Sequence, residues 1–244
     1  MEAILGRLRH YAAIDDGVAS GLISLPHALI ARSAGQTIVS AGEPLTHVFV
    51  IEDGWAMRHR MLPDGRRQIV NFMLPGDCFD LQALVHAKAD HFVTAITNVR
   101  LRTVQSSRFL AAVRSHPNLA SAFWWAAVQE ESILREQIVR IGRRSARERI
   151  AHLILELHRR LLQAGGQAGD TMVLPLTREI MADALGLSPV HVSRSLSSLK
   201  ARKLIETNGR TLRISDPNGL AKLAQFNESY LHLDEEHLLP SEER

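Results

Sequence analysis

Cysteine is nearly absent from this sequence, since Cys78 is the one cysteine among 244 residues. A single thiol cannot form an internal disulfide, and it cannot supply the four thiolates of an iron–sulfur cluster. Hydrophobic runs are also short, and none approaches the roughly 20 apolar residues of a membrane-spanning helix. These absences favour a soluble protein of a reducing compartment, the cytoplasm, with no membrane partner.

Net charge is small as well, at +3, but it is distributed unevenly. Residues 1–134 hold 12 Lys/Arg and 12 Asp/Glu, residues 135–213 hold 15 and 7, and residues 214–244 hold 2 and 7. A basic segment joined to a neutral one indicates that phosphate contacts belong to the basic segment and another task to the neutral one. A solvated Arg-rich helix is the alternative explanation for Arg143, Arg144, Arg147 and Arg149.

A helix-turn-helix is predicted in the basic segment, between residues 176 and 203. Thr177 is a candidate N-cap for the first helix, and Gly186 gives the backbone the freedom to end it. Ser188 is a candidate N-cap for the second helix, with Pro189 at the first helical position. The spacing of the apolar residues supports both helices.

The second helix is predicted to have an apolar inner face and a small outer face. Short side chains let the backbone approach the DNA major groove, where Arg194 can hold guanine with two hydrogen bonds and Val190 can contact a thymine methyl. An ordinary helical hairpin with a solvated polar face is the alternative. The residues predicted on the outer face are Pro189, Val190, Ser193, Arg194 and Ser197, and the base edges are predicted to be read by Val190, His191, Ser193 and Arg194.

Two short alternating runs follow, at residues 204–207 and 210–214, around Asn208-Gly209. This dipeptide is a strong hairpin signal, and residues 172–174 offer a possible third strand. A hairpin directly after a helix-turn-helix is a wing, so the segment is predicted to bind double-stranded DNA. Phosphate contacts are assigned to Thr177, Arg178, Ser188 and Arg210.

The first half of the chain changes from helical to alternating periodicity. Residues 1 to about 30 are predicted to be helical, with an interruption at Pro26. Five short alternating runs then predict strands of a barrel or roll. The predicted strands are residues 36–39, 47–51, 56–61, 67–73 and 99–104.

The turns of this predicted roll carry a resemblance to a known family. Gly42-Glu-Pro, Phe49-Val-Ile-Glu-Asp-Gly54, Pro63-Asp-Gly-Arg-Arg-Gln-Ile69 and Pro75-Gly-Asp77 resemble the repeated turns of the cyclic-nucleotide-binding-type β-roll. With residues 144–151 and the winged segment, nearly the whole chain resembles the CRP/FNR superfamily of bacterial transcription regulators. The resemblance implies an α+β fold with an antiparallel β-roll (double-stranded β-helix) sensor at 1–115, a dimerisation helix at 116–143, a winged helix-turn-helix at 144–230 and an acidic tail at 231–244.

A long helical pattern begins at His116-Pro117 and continues to about Gly142. Its length predicts an additional face for a partner, and the resemblance implies a homodimer about this helix. Trp124 and Trp125 are alternative caps of the roll core, and core packing is predicted for at least one of them. Further helices are predicted from Ser145 to Gln163 and from Pro217, with a flexible loop at residues 165–169.

The predicted effector pocket departs from the family pattern. Relatives that bind a cyclic nucleotide place an acidic residue after the Pro-Gly turn and an Arg-Ser or Arg-Thr pair in the following stretch. Here residues 81–94 contain no Arg, and Lys88 is their only cation. The nucleotide phosphate therefore lacks its bidentate donor, so control by a cyclic nucleotide is not expected. The candidate pocket residues are Gly76, Asp77, Cys78, Asp80, Lys88 and Phe92.

Several alternatives stay open for the sensor. A cyclic nucleotide in an atypical pocket, a small-molecule effector, and haem on His86, His91 or Cys78 all remain possible, although no cofactor is predicted. Cys78 is either a redox-responsive thiol or a small buried hydrophobe. The spacing of histidines and acids predicts no metal site, and no catalytic motif indicates an enzyme. A pure interaction protein is the remaining class.

The function predicted is a homodimeric regulator that binds an inverted repeat and, where it activates, contacts RNA polymerase. Two recognition helices are expected in successive major grooves about 34 Å apart. Family members often have a Glu one turn before the Arg of the recognition helix, and Val190 stands there. A half-site that lacks one cytosine contact is therefore expected.

Overall fold

A computed structural model of the chain describes residues 2–85, 87–165 and 169–233. His86, most of the predicted 165–169 loop and the acidic tail from residue 234 lie outside these residues. Helices α1 (Glu2–Tyr11) and α2 (Asp16–Ser24) begin the fold. Asp15 caps α2 by accepting a hydrogen bond from the Val18 N–H at 2.8 Å.

Eight strands then form the roll as two four-stranded antiparallel sheets, with strand orders β1-β8-β3-β6 and β2-β7-β4-β5. A 3₁₀ turn at Leu81–Val85 follows β6. Gly54 in the turn after β3 has φ +84, and a Cβ there would lie 2.2 Å from the Asn98 carbonyl oxygen, so this turn requires glycine. The strands are β1 (His27–Arg32), β2 (Thr37–Val39), β3 (His47–Asp53), β4 (Ala56–Met61), β5 (Arg67–Met73), β6 (Cys78–Phe79), β7 (Phe92–Ala95) and β8 (Val99–Gln105).

The five predicted strands are confirmed, but three others were missed. The helical prediction was wrong for β1, which pairs with β8 in the register His27↔Val104. β1 is mostly exposed and has no fully buried face. Its apolar and polar residues therefore do not alternate in the way that identifies a strand. β6 has only two residues, and β7 is buried on both faces, which removes its alternation.

One hydrophobic core lies between the sheets and beneath the first two helices. It contains the completely buried side chains of Tyr11, Val48, Ile51, Val93 and Leu101. Burial of each large aliphatic side chain is worth roughly 1.5–3 kcal/mol. The N-terminal helices are therefore part of the roll domain rather than an appended arm.

Helix α3 (Ser106–Ser115), which the sequence did not reveal, leads from β8 into the long helix α4 (Pro117–Arg143). Proline occupies the first turn of α4, as predicted. Trp125 packs against the roll core, whereas Trp124 is 75% exposed. The prediction of core packing for at least one tryptophan is therefore confirmed for Trp125.

The C-terminal part is a winged helix-turn-helix with its own core. A three-stranded antiparallel sheet has the order β10-β11-β9, so the third strand is confirmed. Ile69 and Phe72 of β5 belong to this core, which joins the winged domain to the roll. The elements are α5 (Ala146–Gln163), β9 (Thr171–Val173), α6 (Arg178–Leu185), α7 (Pro189–Ala201), β10 (Ile205–Asn208), β11 (Thr211–Ile214), α8 (Pro217–Ala224) and a 3₁₀ turn at Glu228–Leu231. Across residues 2–85, 87–165 and 169–233, no helix combines the length and the apolarity that a membrane span needs.

Candidate DNA-binding face and sensor cavity

Helix α6 begins and ends at the predicted residues. The Thr177 hydroxyl accepts a hydrogen bond from the Ile180 N–H at 3.2 Å, which satisfies one of the free donors of the first turn. Gly186 ends the helix in the left-handed conformation, with φ 62. This glycine turns the chain into α7, so the two helices meet at a fixed angle.

Helix α7 is the predicted recognition helix. The Ser188 hydroxyl accepts a hydrogen bond from the His191 N–H at 3.3 Å, and Pro189 follows at the first helical position. Val192, Leu196 and Leu199 are buried, as predicted. The inner face packs on α5, which leaves the opposite face to solvent.

The predicted base-reading residues share this outer face. Val190 is 57% exposed, so its methyl groups are accessible to a base edge. The His191 ring lies against the helix cap, with Nδ1 3.1 Å from the Ser188 hydroxyl. Pro189, Val190, His191, Arg194 and Ser197 are exposed, and Ser193 is half-buried.

Three of the predicted DNA contacts are exposed arginines. The side chains of Arg178, Arg194 and Arg210 make no hydrogen bond or ion pair with any residue that the structure describes. Thr177, next to Arg178, is exposed as well. Their charges are therefore available to phosphate or base edges without the loss of an internal partner.

The wing forms one residue later than its sequence suggests. Asn208 pairs with Thr211, so Gly209 and Arg210 make the two-residue turn instead of Asn208 and Gly209. Gly209 has φ 58, which fits a glycine at the first turn position. Arg210 consequently lies at the end of the wing.

The four arginines of residues 143–149 divide into two kinds. Arg144 pairs with Glu136 at 2.7 Å, and Arg149 donates to the Leu185 carbonyl at 2.9 Å. Arg143 and Arg147 are exposed. Two of the four are thus structural, and the solvated-helix explanation applies at most to the other two.

A cavity of ≈ 30 Å³ lies between the roll and α4, beside the Pro-Gly-Asp turn. Asp77, Cys78 and Glu130 are among its lining residues. Small-molecule sites usually occupy about 300–1,000 Å³. This cavity has room for a water molecule and none for a nucleotide.

Asp77 is already bound by the chain's own cations. Arg160 of α5 donates to its carboxylate at 2.7 Å, and Arg7 of α1 forms a second ion pair. The Leu74 N–H donates to the same carboxylate at 2.8 Å. Asp77 therefore joins α1, the roll and α5, and its neighbour Gly76 has φ +88 in the turn.

Asp80 lies deeper in the roll, with φ 61 and a completely buried side chain. His91 Nε2 lies 3.0 Å from its carboxylate, and Arg58 approaches at 3.5 Å. Arg58 also contacts Glu130 on α4. Burial lowers the pKa of His91, but hydrogen bonds to Asp80 and Asp90 outweigh it and raise this pKa above its ordinary value.

The other candidate pocket residues have different surroundings. Burial raises the pKa of the Cys78 thiol far above its ordinary value, which keeps it protonated and favours the small-hydrophobe interpretation. Phe92 stacks on His59 with ring centroids 5.5 Å apart, and Lys88 is exposed. Among the described residues, neither Phe92 nor Lys88 lines the cavity, and no cluster of three potential ligands fits a metal ion.

Sequence reasoning missed the partners of the two buried aspartates. Arg7 lies 70 residues from Asp77, Arg58 lies 22 residues from Asp80, and Glu130, the second partner of Arg58, lies 72 residues from that arginine. No local spacing connects such residues. A weak signal was present in the sequence. Residues 81–94 contain no arginine, which indicated that this pocket does not bind a nucleotide phosphate in the way its cyclic-nucleotide-binding relatives do.

Comparison with known proteins gives the family. The cyclic nucleotide-binding domain model matches residues 30–116, and the Crp-like helix-turn-helix domain model matches residues 148–223. Nitrogen fixation regulation protein FixK of Bradyrhizobium diazoefficiens is 33% identical over 192 residues, 79% of this chain and 80% of the relative. Transcriptional activator protein FnrL of Cereibacter sphaeroides is 33% identical over 182 residues, 72% of each chain.

A solved structure agrees with these sequence matches. FixK2 from Bradyrhizobium japonicum superposes with a TM-score of 0.73 at 29% identity, covering 82% of this chain and 98% of that one. Both domains and their order are thus shared with known regulators. The chain belongs to the CRP/FNR family of DNA-binding transcription regulators.

Proposed function

We propose that this regulator acts as a homodimer in the cytoplasm, binds an inverted repeat in DNA and is controlled through its N-terminal roll. The observation that carries the proposal is the outer face of α7, where Val190 and Arg194 are exposed beside a row of small side chains. Such a face fits the major groove, because its backbone can approach the base edges. Its activity is binding rather than catalysis.

A stripe on α4 supports the homodimer. Trp124 is 75% and Ile138 67% exposed, although other residues of α4 are buried against the roll and α5. Spacings of four and three over several turns are the pattern of a two-helix coiled coil, which a second copy would cover. Seven residues of α4 at these spacings are exposed or half-buried. We call them the α4 stripe: Ala120, Trp124, Ala127, Glu131, Leu134, Ile138 and Ile141.

Each half-site would be read by the same small set of side chains. Arg194 can hold guanine O6 and N7, while Val190, His191, Ser193 and Ser197 are close enough along the helix to meet neighbouring bases. Two copies about 34 Å apart read an inverted repeat. The surrounding phosphate contacts are assigned to Thr177, Arg178, Ser188 and Arg210.

Control by a cyclic nucleotide is disfavoured by the cavity of ≈ 30 Å³ and by the ion pairs that already use Asp77. A nucleotide would have to open the roll and displace Arg7 or Arg160. A smaller effector, or a protein that contacts the surface of the roll, would require less rearrangement of the roll and of these ion pairs. RNA polymerase is the partner proposed for activation.

The decisive experiment is recovery of genomic DNA fragments bound by the purified protein without added ligand, followed by derivation of a consensus. We expect an inverted repeat with half-sites about one helical turn apart. An Arg194→Ala protein serves as the control, and it should recover fewer fragments, with a consensus that is relaxed at one base pair per half-site, while its fold is intact. Recovery of a single, unrepeated half-site would contradict the homodimer, and equal recovery by both proteins would contradict the assignment of α7.

A further inference from the structure

Two cationic side chains converge on one buried carboxylate within the roll. His91 Nε2 lies 3.0 Å and Arg58 Nη2 3.5 Å from the same oxygen of Asp80. The Asp80 side chain is 0% exposed. It follows β6, in the part of the sensor where the sequence predicts the effector pocket. The anion of this cation site is therefore supplied by the chain itself.

The contacts of His91 favour its positively charged form. Its Nε2 faces Asp80, and its Nδ1 lies 2.8 Å from a carboxylate oxygen of Asp90. Ionised carboxylates only accept hydrogen bonds, so a ring placed between two of them is best matched by an imidazolium, which donates from both nitrogens. The positive charge of Arg58 opposes a charge on His91. On the surface side, Arg60 lies 3.6 Å from the other carboxylate oxygen of Asp90.

The same carboxylate acts on the long helix through Arg58. Arg58 contacts Glu130 of α4, and Asn71 of β5 donates to that Glu130 carboxylate at 2.9 Å. A continuous line of charged contacts thus runs from Asp80 through Arg58 to the helix that carries the α4 stripe. The position of one carboxylate influences how α4 is held against the roll.

We propose that Asp80 is an internal anionic ligand of the sensor domain, which occupies a cation site of Arg58 and His91 that would otherwise bind a small diffusible carboxylate. The built-in carboxylate keeps Arg58 engaged with Glu130 on α4. The roll is therefore held in its anion-bound form without an added anion. One consequence, which rests on the proposed function, is that DNA binding requires no anionic effector.

The backbone at this position provides a clean test. Asp80 has φ 61, a conformation that glycine adopts without strain. Asp80→Gly therefore removes CH₂COO⁻ without a backbone penalty and leaves a vacancy with the size and charge preference of acetate. Asp80→Asn keeps the shape, removes the charge and leaves no vacancy, so it is the matched control.

The first measurement is thermal unfolding in sodium acetate and in sodium chloride of equal ionic strength. Asp80→Gly should gain roughly 2–4 °C in Tm with acetate at several times its Kd, relative to chloride, and the gain should grow with the logarithm of acetate concentration above the Kd. The native protein and Asp80→Asn should respond equally to the two salts. Equal responses of Asp80→Gly in acetate and chloride would overturn the proposal.

The second measurement also uses Asp80→Asn, so it does not rest on the glycine variant alone. Nitrogen NMR of the His91 ring should report two protonated nitrogens near neutral pH in the native protein and a neutral ring in Asp80→Asn. Acetate should restore the doubly protonated ring in Asp80→Gly. An unchanged His91 ring in both variants would overturn the proposal even if one of them folded poorly.

A third measurement, of DNA affinity with and without acetate, separates this inference from the proposed function. The native protein should bind its recovered consensus at full affinity without acetate, and Asp80→Gly should bind about tenfold more weakly and recover with acetate, a coupling typical of allosteric sites. Acetate rescue of Tm with no effect on DNA affinity would overturn the coupling to α4. Failure of the native protein to bind any DNA would contradict the proposed function and leave the acetate result standing.

Discussion

Arg160 of α5 donates a hydrogen bond to the Asp77 carboxylate at 2.7 Å, which ties the winged domain to the Pro-Gly-Asp turn of the roll. The same guanidinium group donates to the Phe72 carbonyl at 2.9 Å. Arg7 of α1 completes the site from the other side. Three elements that are distant in sequence thus meet at one buried negative charge, and their relative positions depend on it.

Asp77→Asn should lower the free energy of unfolding by about 3–5 kcal/mol, because the largely buried Arg7 loses its carboxylate partner and Arg160 keeps only Glu156, at 3.9 Å. Urea unfolding followed by circular dichroism measures this difference. Asp64→Asn is the control, since Asp64 pairs with Arg66 on the exposed surface and should change stability by less than about 1 kcal/mol. Equal effects of the two substitutions would mean that the Asp77 site contributes no more than a surface pair.

Arg194→Ala should weaken binding to the consensus by about 1–3 kcal/mol and relax the preference at one base pair per half-site. The side chain is exposed and free of partners among the described residues, so its removal leaves the fold unchanged. Competition binding with single-base variants of the site measures both effects. Uniform weakening on every sequence would instead assign Arg194 to a phosphate.

Arg178→Ala should weaken all sequences alike, because its charge lies at the start of α6 where the backbone of DNA is expected. The slope of log K against log salt should become shallower by about 1 for each phosphate that the arginine no longer neutralises. Arg194→Ala is the matched variant for sequence preference. A salt slope equal to that of the native protein would remove Arg178 from the interface.

The winged segment was predictable because its signals are local. Ser188, Pro189 and Gly186 each act within one turn of the backbone, and the structure places the helix ends where these residues predict them. The hairpin was predicted one residue out of register, since the dipeptide Asn208-Gly209 identifies a turn without fixing which residue begins it. Local chemistry thus determines elements better than their boundaries.

The sensor site was less predictable because its contacts are distant in sequence. Asp80 and His91 were candidates, but nothing near them indicated that Arg58 and Glu130 would complete a buried network. Likewise, Asp77 was predicted to face an effector, and its cations come from residues 70 positions before it and 83 after it. Only the three-dimensional fold brings such charges together.

Ile138→Glu should weaken dimerisation by at least tenfold, because it places a charge among the apolar residues of the C-terminal half of the α4 stripe, where the native side chain is 67% exposed in the single chain. Sedimentation equilibrium over a range of protein concentrations measures the dissociation constant. Leu29→Glu is the control, since Leu29 is an equally exposed apolar residue on β1, away from α4. A native protein that sediments as a monomer, or equal effects of the two substitutions, would contradict a dimer through this stripe.

The stability of the roll should fall as pH rises from about 6.5 through the raised pKa of His91. Burial lowers this pKa, but the hydrogen bonds to Asp80 and Asp90 raise it by more. Below about pH 6.5 the folded and unfolded states both hold the proton, so the contribution is complete. Above about pH 6.5 only the folded state holds the proton. The free energy of unfolding then falls by up to about 1.4 kcal/mol for each pH unit, until the pH passes the pKa of His91 in the folded state.

Urea unfolding of the native protein and of Asp80→Asn at a series of pH values tests this dependence. The difference in unfolding free energy between them should shrink as pH rises, because only the native protein holds His91 as an imidazolium. His59 and His152 act in the opposite direction: burial lowers their pKa values to about 4 and about 2, so they reduce stability as pH falls below about 6.5. Above about pH 6.5 both are neutral in the folded and in the unfolded state, so neither contributes to the difference in that range. A difference that stays constant or grows with pH would mean that His91 is neutral beside Asp80, and the charge assigned to the roll's internal cation site would then be wrong.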